Sequence, residues 1–141
     1  MIQEERQLLL KDLCARLPYE VKCAIFDKKI KFGGFDGKYP FILDGITVES
    51  DGVDVWFEKG NFSPETIKPY LRPLSSMTPQ EWCDLCDCVI EDDKAATIVN
   101  GRRFVSHVNE ERFLNSNHFD YCGLIEKGLA LEAPEGMYKE D

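Results

Sequence analysis

From Thr78 onward the apolar positions fall at helical spacing. Trp82, Cys83, Cys86, Val89 and Ile90 stand at i, i+1, i+4, i+7 and i+8, with Asp84, Asp87, Glu91 and Asp92 on the other side. Thr78 has the position of an N-cap, Pro79 of the first helical residue, and Glu81 of the third, where its carboxylate reaches back to the Thr78 N–H. Met77 and Trp82 add the spacing of a hydrophobic staple. The pattern predicts a helix starting at Pro79, with its apolar stripe buried and its acidic side in water.

Gln3 to Leu17 reads as a second amphipathic helix, because Leu10, Leu13, Cys14 and Leu17 fit one face and Pro18 disfavours helical geometry before it. Between Val21 and Phe57 the period changes to two. The pairs Asp36-Gly37, Asp44-Gly45 and Asp51-Gly52 supply the positive-φ positions of type I′ turns, so each marks a hairpin. The clearest joins Ile46 to Ser50 with Val53 to Phe57 through Asp51-Gly52, with Val53, Val55 and Phe57 on one face. A meander of four or five antiparallel strands is expected. Gly33-Gly34 marks a bulge or bend, and Pro40 a strand start or edge.

Ser63 and Pro64 predict a capped helical turn. Pro69 and Pro73 then make Lys68 to Ser76 an extended connector. Beyond Asp93, Ala96 to Val105 is readable as a hairpin about Asn100-Gly101. Asn109 is placed to cap a short helix through Leu114, and Asp120 another through Lys127 that stops at Gly128. Ala133 to Asp141 is a polar, acidic tail, mobile unless Met137 and Tyr138 dock. The reading is thus one α+β domain over residues 1–141. An N-terminal helix packs on an antiparallel β-meander (1–62). A connector, the capped helix, a hairpin and short helices in a loop-rich part follow (63–132), then the acidic tail (133–141).

Composition narrows the functional classes. Apolar residues make up 43% and charged residues 30% of the 141, which suffices for a packed core. The formal net charge of −9 argues against nucleic-acid binding by direct basic contact and against an anionic membrane surface. The polar N-terminus lacks the pattern of a secretory signal, so a cytoplasmic location is expected, with the six cysteines as free thiols, several of them buried.

Three stretches, Leu8 to Tyr19, Lys68 to Thr78 and His118 to Tyr138, resemble a group of small uncharacterised proteins of gut Bacteroides and their phages or integrated elements. The resemblance implies a bacterial or phage-related setting and carries over no catalytic residue.

The sharpest chemical candidate is Cys83-x-x-Cys86-x-Cys88, which with His118, His107 or Cys122 has the donor types of a tetrahedral zinc site. Against zinc, Cys83 and Cys86 share the helix stripe, Cys88 points elsewhere, and no second Cys-x-x-Cys follows. A redox pair needs its first cysteine at a helix N-terminus, and Cys83 comes after the first turn. His118, Asp120 and Cys122 lie too close in sequence to converge as base, orienter and nucleophile. The expectation is therefore a protein without a cofactor, more an accessory or interaction protein (adaptor or inhibitor) than an enzyme, with an unidentified protein partner. Its candidate binding residues are Tyr70, Leu71 and Arg72 of the connector and Asp84, Asp87, Glu91 and Asp92 of the helix, and the alternative is a zinc or thiol protein built on Cys83, Cys86, Cys88 and His118.

Overall fold

The computed structural model describes residues 1–26, 40–50, 52–58 and 60–138. The expected Asp36-Gly37 hairpin and Gly33-Gly34 bend lie outside them. Helix α1 spans Gln3–Arg16, and a 3-10 turn (Leu17–Tyr19) then takes in Pro18. The strands are β1 (Lys22–Ile25), β2 (Phe41–Ile42), β3 (Gly45–Glu49), β4 (Gly52–Phe57), β5 (Gly60–Phe62) and β6 (Ile67–Leu71). Helix α2 (Pro79–Lys94), strands β7 (Thr97–Val99) and β8 (Arg102–Phe104), helix α3 (Val108–Ser116) and strand β9 (Leu131–Glu132) complete an α+β fold.

The expected single meander is divided among sheets. Strands β3, β4 and β5 form an antiparallel meander, whereas β1 and β2 join a sheet of order β2-β1-β6-β9. Asp44-Gly45 is accordingly no hairpin turn: it carries the chain from one sheet to the other, and Gly45 pairs with Trp56. The hairpin stands, but its register is shifted from the expected one: a turn at Asp51-Gly52 would set Ser50 opposite Val53, whereas Val53 pairs with Val48 and Gly52 with Glu49, so Gly52 belongs to β4. The connector is also corrected. Ile67–Leu71 forms β6, antiparallel to β1 and parallel to β9, so its backbone is already paired on both sides. Pro69 pairs with Cys23 of β1 and lies ahead of the stretch covered by β9, which begins at Tyr70.

One apolar cluster runs from α1 (Leu9, Leu13) through β1, β4 and β6 to Leu124, Leu129 and Ala130 near the C-terminus. The face that α1 buries is Leu9, Asp12, Leu13 and Arg16, while Cys14 is exposed and Leu10 half-buried. A polar pair therefore lies on the buried stripe, which an apolar template does not register. Arg16 donates from Nε to Asp12 (2.9 Å) and from Nη2 to the Phe119 carbonyl (2.5 Å). Burial raises the Asp12 pKa against the opposing pull of Arg16, so desolvation outweighs the ion pair.

The C-terminal segment docks. Tyr138 stacks on His118 with ring centroids 3.9 Å apart, its hydroxyl bonds the Tyr70 carbonyl (2.7 Å) and the Lys22 N–H (2.9 Å), and Lys22 Nζ donates to the Met137 carbonyl (2.8 Å). Asp120 accepts from the Leu124 and Ile125 N–H groups, but consecutive turns follow it instead of the expected helix. Gly128 takes the expected positive φ of 74°.

Candidate functional site

Helix α2 begins as its capping box dictates. Thr78 Oγ1 accepts from the Glu81 N–H (3.1 Å), and the Thr78 N–H donates to Glu81 (3.0 Å). Glu81 is also gripped by Arg72, whose two terminal nitrogens reach its two oxygens at 2.7 Å each. The Arg72 bonds, helped by Thr78, hold the Glu81 carboxyl down at about 2. At the other end of the helix, Asp92 accepts from the Asn109 N–H, the Asn109 side chain and the Glu110 N–H at 2.9–3.0 Å, so this residue of α2 caps α3. Burial would raise the Asp92 carboxyl, but these bonds hold it below its usual range. Helix α3 therefore starts at Val108, ahead of the Asn109 cap expected from sequence.

These two anchors decide how α2 is rolled. Glu81, Leu85, Cys88 and Asp92, spaced four, three and four apart, form the face turned inward. The apolar stripe consequently faces water, contrary to expectation. Trp82 is 60% exposed, Ile90 50% and Val89 43%, with Cys83 and Cys86 also exposed. Among the described cysteines only Cys23 is buried.

The hairpin beside the helix shows the same feature. Asn100 (φ 51°) and Gly101 (φ 75°) make the expected turn between β7 and β8. Neither face of the hairpin is covered: Ile98 is 72% and Phe104 55% exposed, and Val99 is exposed as well. Arg103 reaches the Asp93 carbonyl (2.9 Å) and carboxylate (2.5 Å). Ile98 stands opposite Arg103 in the ladder, so the two share one face of the hairpin. Trp82, Cys86, Val89 and Ile90 make an apolar surface on α2 with no cover among the described residues, and Ile98 is a further exposed apolar side chain on the hairpin that follows.

The residues singled out from sequence divide into separate groups. Tyr70 and Leu71 are buried in β6, which removes them from the surface on which they were expected to bind. Arg72 holds Glu81 and lays its guanidinium 4.2 Å over the Phe119 ring. Asp92 is buried as the α3 cap, Asp84 is half-buried and bonded by Gln80, and Asp87 and Glu91 remain exposed at the edge of the apolar stripe. Cys83, Cys86 and Cys88 stay on one helix, and His118 lies apart beneath Tyr138; among the described residues no three His, Cys, Asp or Glu are placed to hold a metal. Asp120 spends its carboxylate on two backbone N–H groups, and the Nδ1 of His118 has no hydrogen-bond partner among the described residues. The two therefore form no base and orienter pair.

A cleft of about 650 Å³ lies between Arg72, Asn117 and the docked Glu132 to Tyr138 segment, and a neighbouring one of about 450 Å³ reaches Lys22 and His118. Arg72, its strongest charge, is already neutralised by Glu81, and Glu132 and Glu135 line the same cleft. Burial first, then the charges of Arg16, Lys22 and Arg72, push His118 down to about 4 against a backbone hydrogen bond at Tyr19. A histidine depressed from 6.5 in this way stays neutral in the folded chain while the unfolded chain protonates. Stability is therefore expected to fall as pH drops from about 6.5 towards 4, by up to ~1.4 kcal/mol per pH unit. Urea midpoints across that window check it. His118→Gln should flatten the slope there while leaving the loss at lower pH, where Glu81 takes up its proton.

Sequence reasoning found the apolar stripe but placed it inside. The available signal was the hairpin, whose Ile98, Val99 and Phe104 leave neither face polar. Among the described residues no helix is long and apolar enough to cross a membrane. No protein-family model matches the chain, and no curated protein and no solved structure matches it.

Proposed function

We propose that this protein is a small binding module, an accessory protein that engages a protein partner through the outer face of α2 and the adjoining hairpin. The observation that carries the reading is the exposure of Trp82, Val89 and Ile90 on a helix whose roll is fixed by Arg72–Glu81 and by Asp92. Contiguous apolar surface of this kind is costly to leave in water and marks contact sites. An isolated two-stranded hairpin is marginal on its own, and covering it would also stabilise Thr97 to Phe104. The bacterial or phage-related setting implied by the sequence resemblance suits an adaptor or inhibitor acting in the cytoplasm.

Trp82→Glu combined with Ile90→Lys tests the reading. Both positions are surface sites, so the urea midpoint should move by no more than about 0.5 kcal/mol. A partner cross-linked from a photoreactive residue at Val89 in cells carrying the gene should be lost in the double variant. Equal cross-linking by both proteins would overturn the proposal.

A further inference from the structure

We infer that the partner of the α2 face is a segment whose apolar side chains are flanked by lysine or arginine. This rests on the binding role just proposed. On a helix that advances about 100° per residue, Asp87 and Glu91 fall on one edge of the Trp82–Cys86–Ile90 stripe, with the half-buried Asp84 beside them. Asp87 has no ion-pair partner among the described residues. Glu91 meets only Lys94, at 3.5 Å and with both side chains mostly in water, a pair that holds little. The opposite edge turns inward toward α3, so the acidic edge is the one a bound segment would run along.

A second copy of the chain fits this face poorly. Two copies of α2 packed antiparallel about a two-fold axis present the same edge to each other, setting Asp87 and Glu91 against their own counterparts. The net charge of −9 on each chain adds to the repulsion. A cationic amphipathic segment meets the same edge with opposite charge and covers the stripe with its own apolar side chains. Helix α2, with 16 residues, is about 24 Å long, enough to seat a helix of four turns.

The test uses synthetic helical peptides with one leucine stripe, flanked in one case by lysine and in the other by glutamate. A scrambled lysine peptide serves as the charge control. Binding is read from Trp82 fluorescence in a Trp56→Phe background. The lysine peptide should blue-shift Trp82 and bind about tenfold tighter than the glutamate peptide at low salt, the gap narrowing as salt rises. Asp87→Asn with Glu91→Gln should close most of that gap at an unchanged urea midpoint, and the scrambled peptide should not shift Trp82. Equal binding of the two stripe peptides would overturn the charge requirement and leave the apolar face standing. A concentration-dependent dimer with Trp82 buried, seen by sedimentation, would replace the cationic partner with a second copy. If no stripe peptide binds and the chain sediments as a monomer, the binding role falls with the inference.

Discussion

Arg16→Ala is expected to lower the free energy of unfolding by about 3–5 kcal/mol, the usual result of removing one partner from a buried ion pair. Arg16 and Asp12 are fully buried side chains, and the guanidinium also donates to the Phe119 carbonyl and lies 5.5 Å from the Tyr121 ring centre. Without it, the Asp12 carboxylate loses its cation where water does not reach it, and the Phe119 carbonyl keeps only the Tyr121 N–H at 3.1 Å. The pair is also incomplete as it stands, since Asp12 Oδ1 and Arg16 Nη1 have no hydrogen-bond partner among the described residues. Replacing both residues by apolar ones of similar size, Asp12→Leu with Arg16→Met, should therefore recover most of the loss. Urea unfolding of the single and double variants decides the matter. A midpoint shift for Arg16→Ala equivalent to less than about 1 kcal/mol would mean that the pair is not dry.

Phe119→Ala is expected to cost a similar amount, about 3–5 kcal/mol, through the cavity it leaves. The ring is fully buried, lies 6.3 Å from Phe113 in a stacked arrangement, and carries the Arg72 guanidinium on its face. The last contact links the core to α2, because the same guanidinium holds Glu81. Thermal unfolding of Phe119→Ala, followed with Arg72→Met and the double variant, should show a favourable coupling between ring and guanidinium of roughly 0.5–2 kcal/mol. Additive losses would remove Phe119 from the support of α2. Since Arg16 donates to the Phe119 backbone, losses at residues 16 and 119 should not simply add.

Both predictions bear on the binding face. The roll of α2 depends on Arg72 at one end and Asp92 at the other, and Arg72 in turn rests on Phe119. Weakening that support would let the apolar stripe turn inward and withdraw Trp82 and Ile90 from any partner.

The local elements were readable in the chain because their causes are local. The α2 start follows from Thr78, Pro79 and Glu81 within four residues, and the Asn100-Gly101 turn from two residues that tolerate positive φ. The α+β character and the facing of Val55 and Phe57 follow from period alone. The candidate site was less legible. Of the residues marked for binding, Asp87 and Glu91 border the exposed face, Tyr70 and Leu71 went to the core, and Asp92 went to capping α3. The stripe was recognised, but a helical wheel says which residues share a face and not which face the rest of the protein covers.

What the sequence determined by itself is where the helices and turns begin and which residues lie side by side. Tertiary structure decided the rest: the division of the expected meander between two sheets, the pairing of β6 with β9, the docking of Tyr138, and the outward turn of Trp82 and Ile90. The physical reason is that each depends on contacts between residues far apart in the chain, such as Arg16 with Phe119 and Lys22 with Tyr138. On α2 the polar anchors are Arg72 with Glu81 and Asp92 with the Asn109 and Glu110 N–H groups, charge-assisted bonds that set the roll of the helix against the pull of its apolar stripe toward the core.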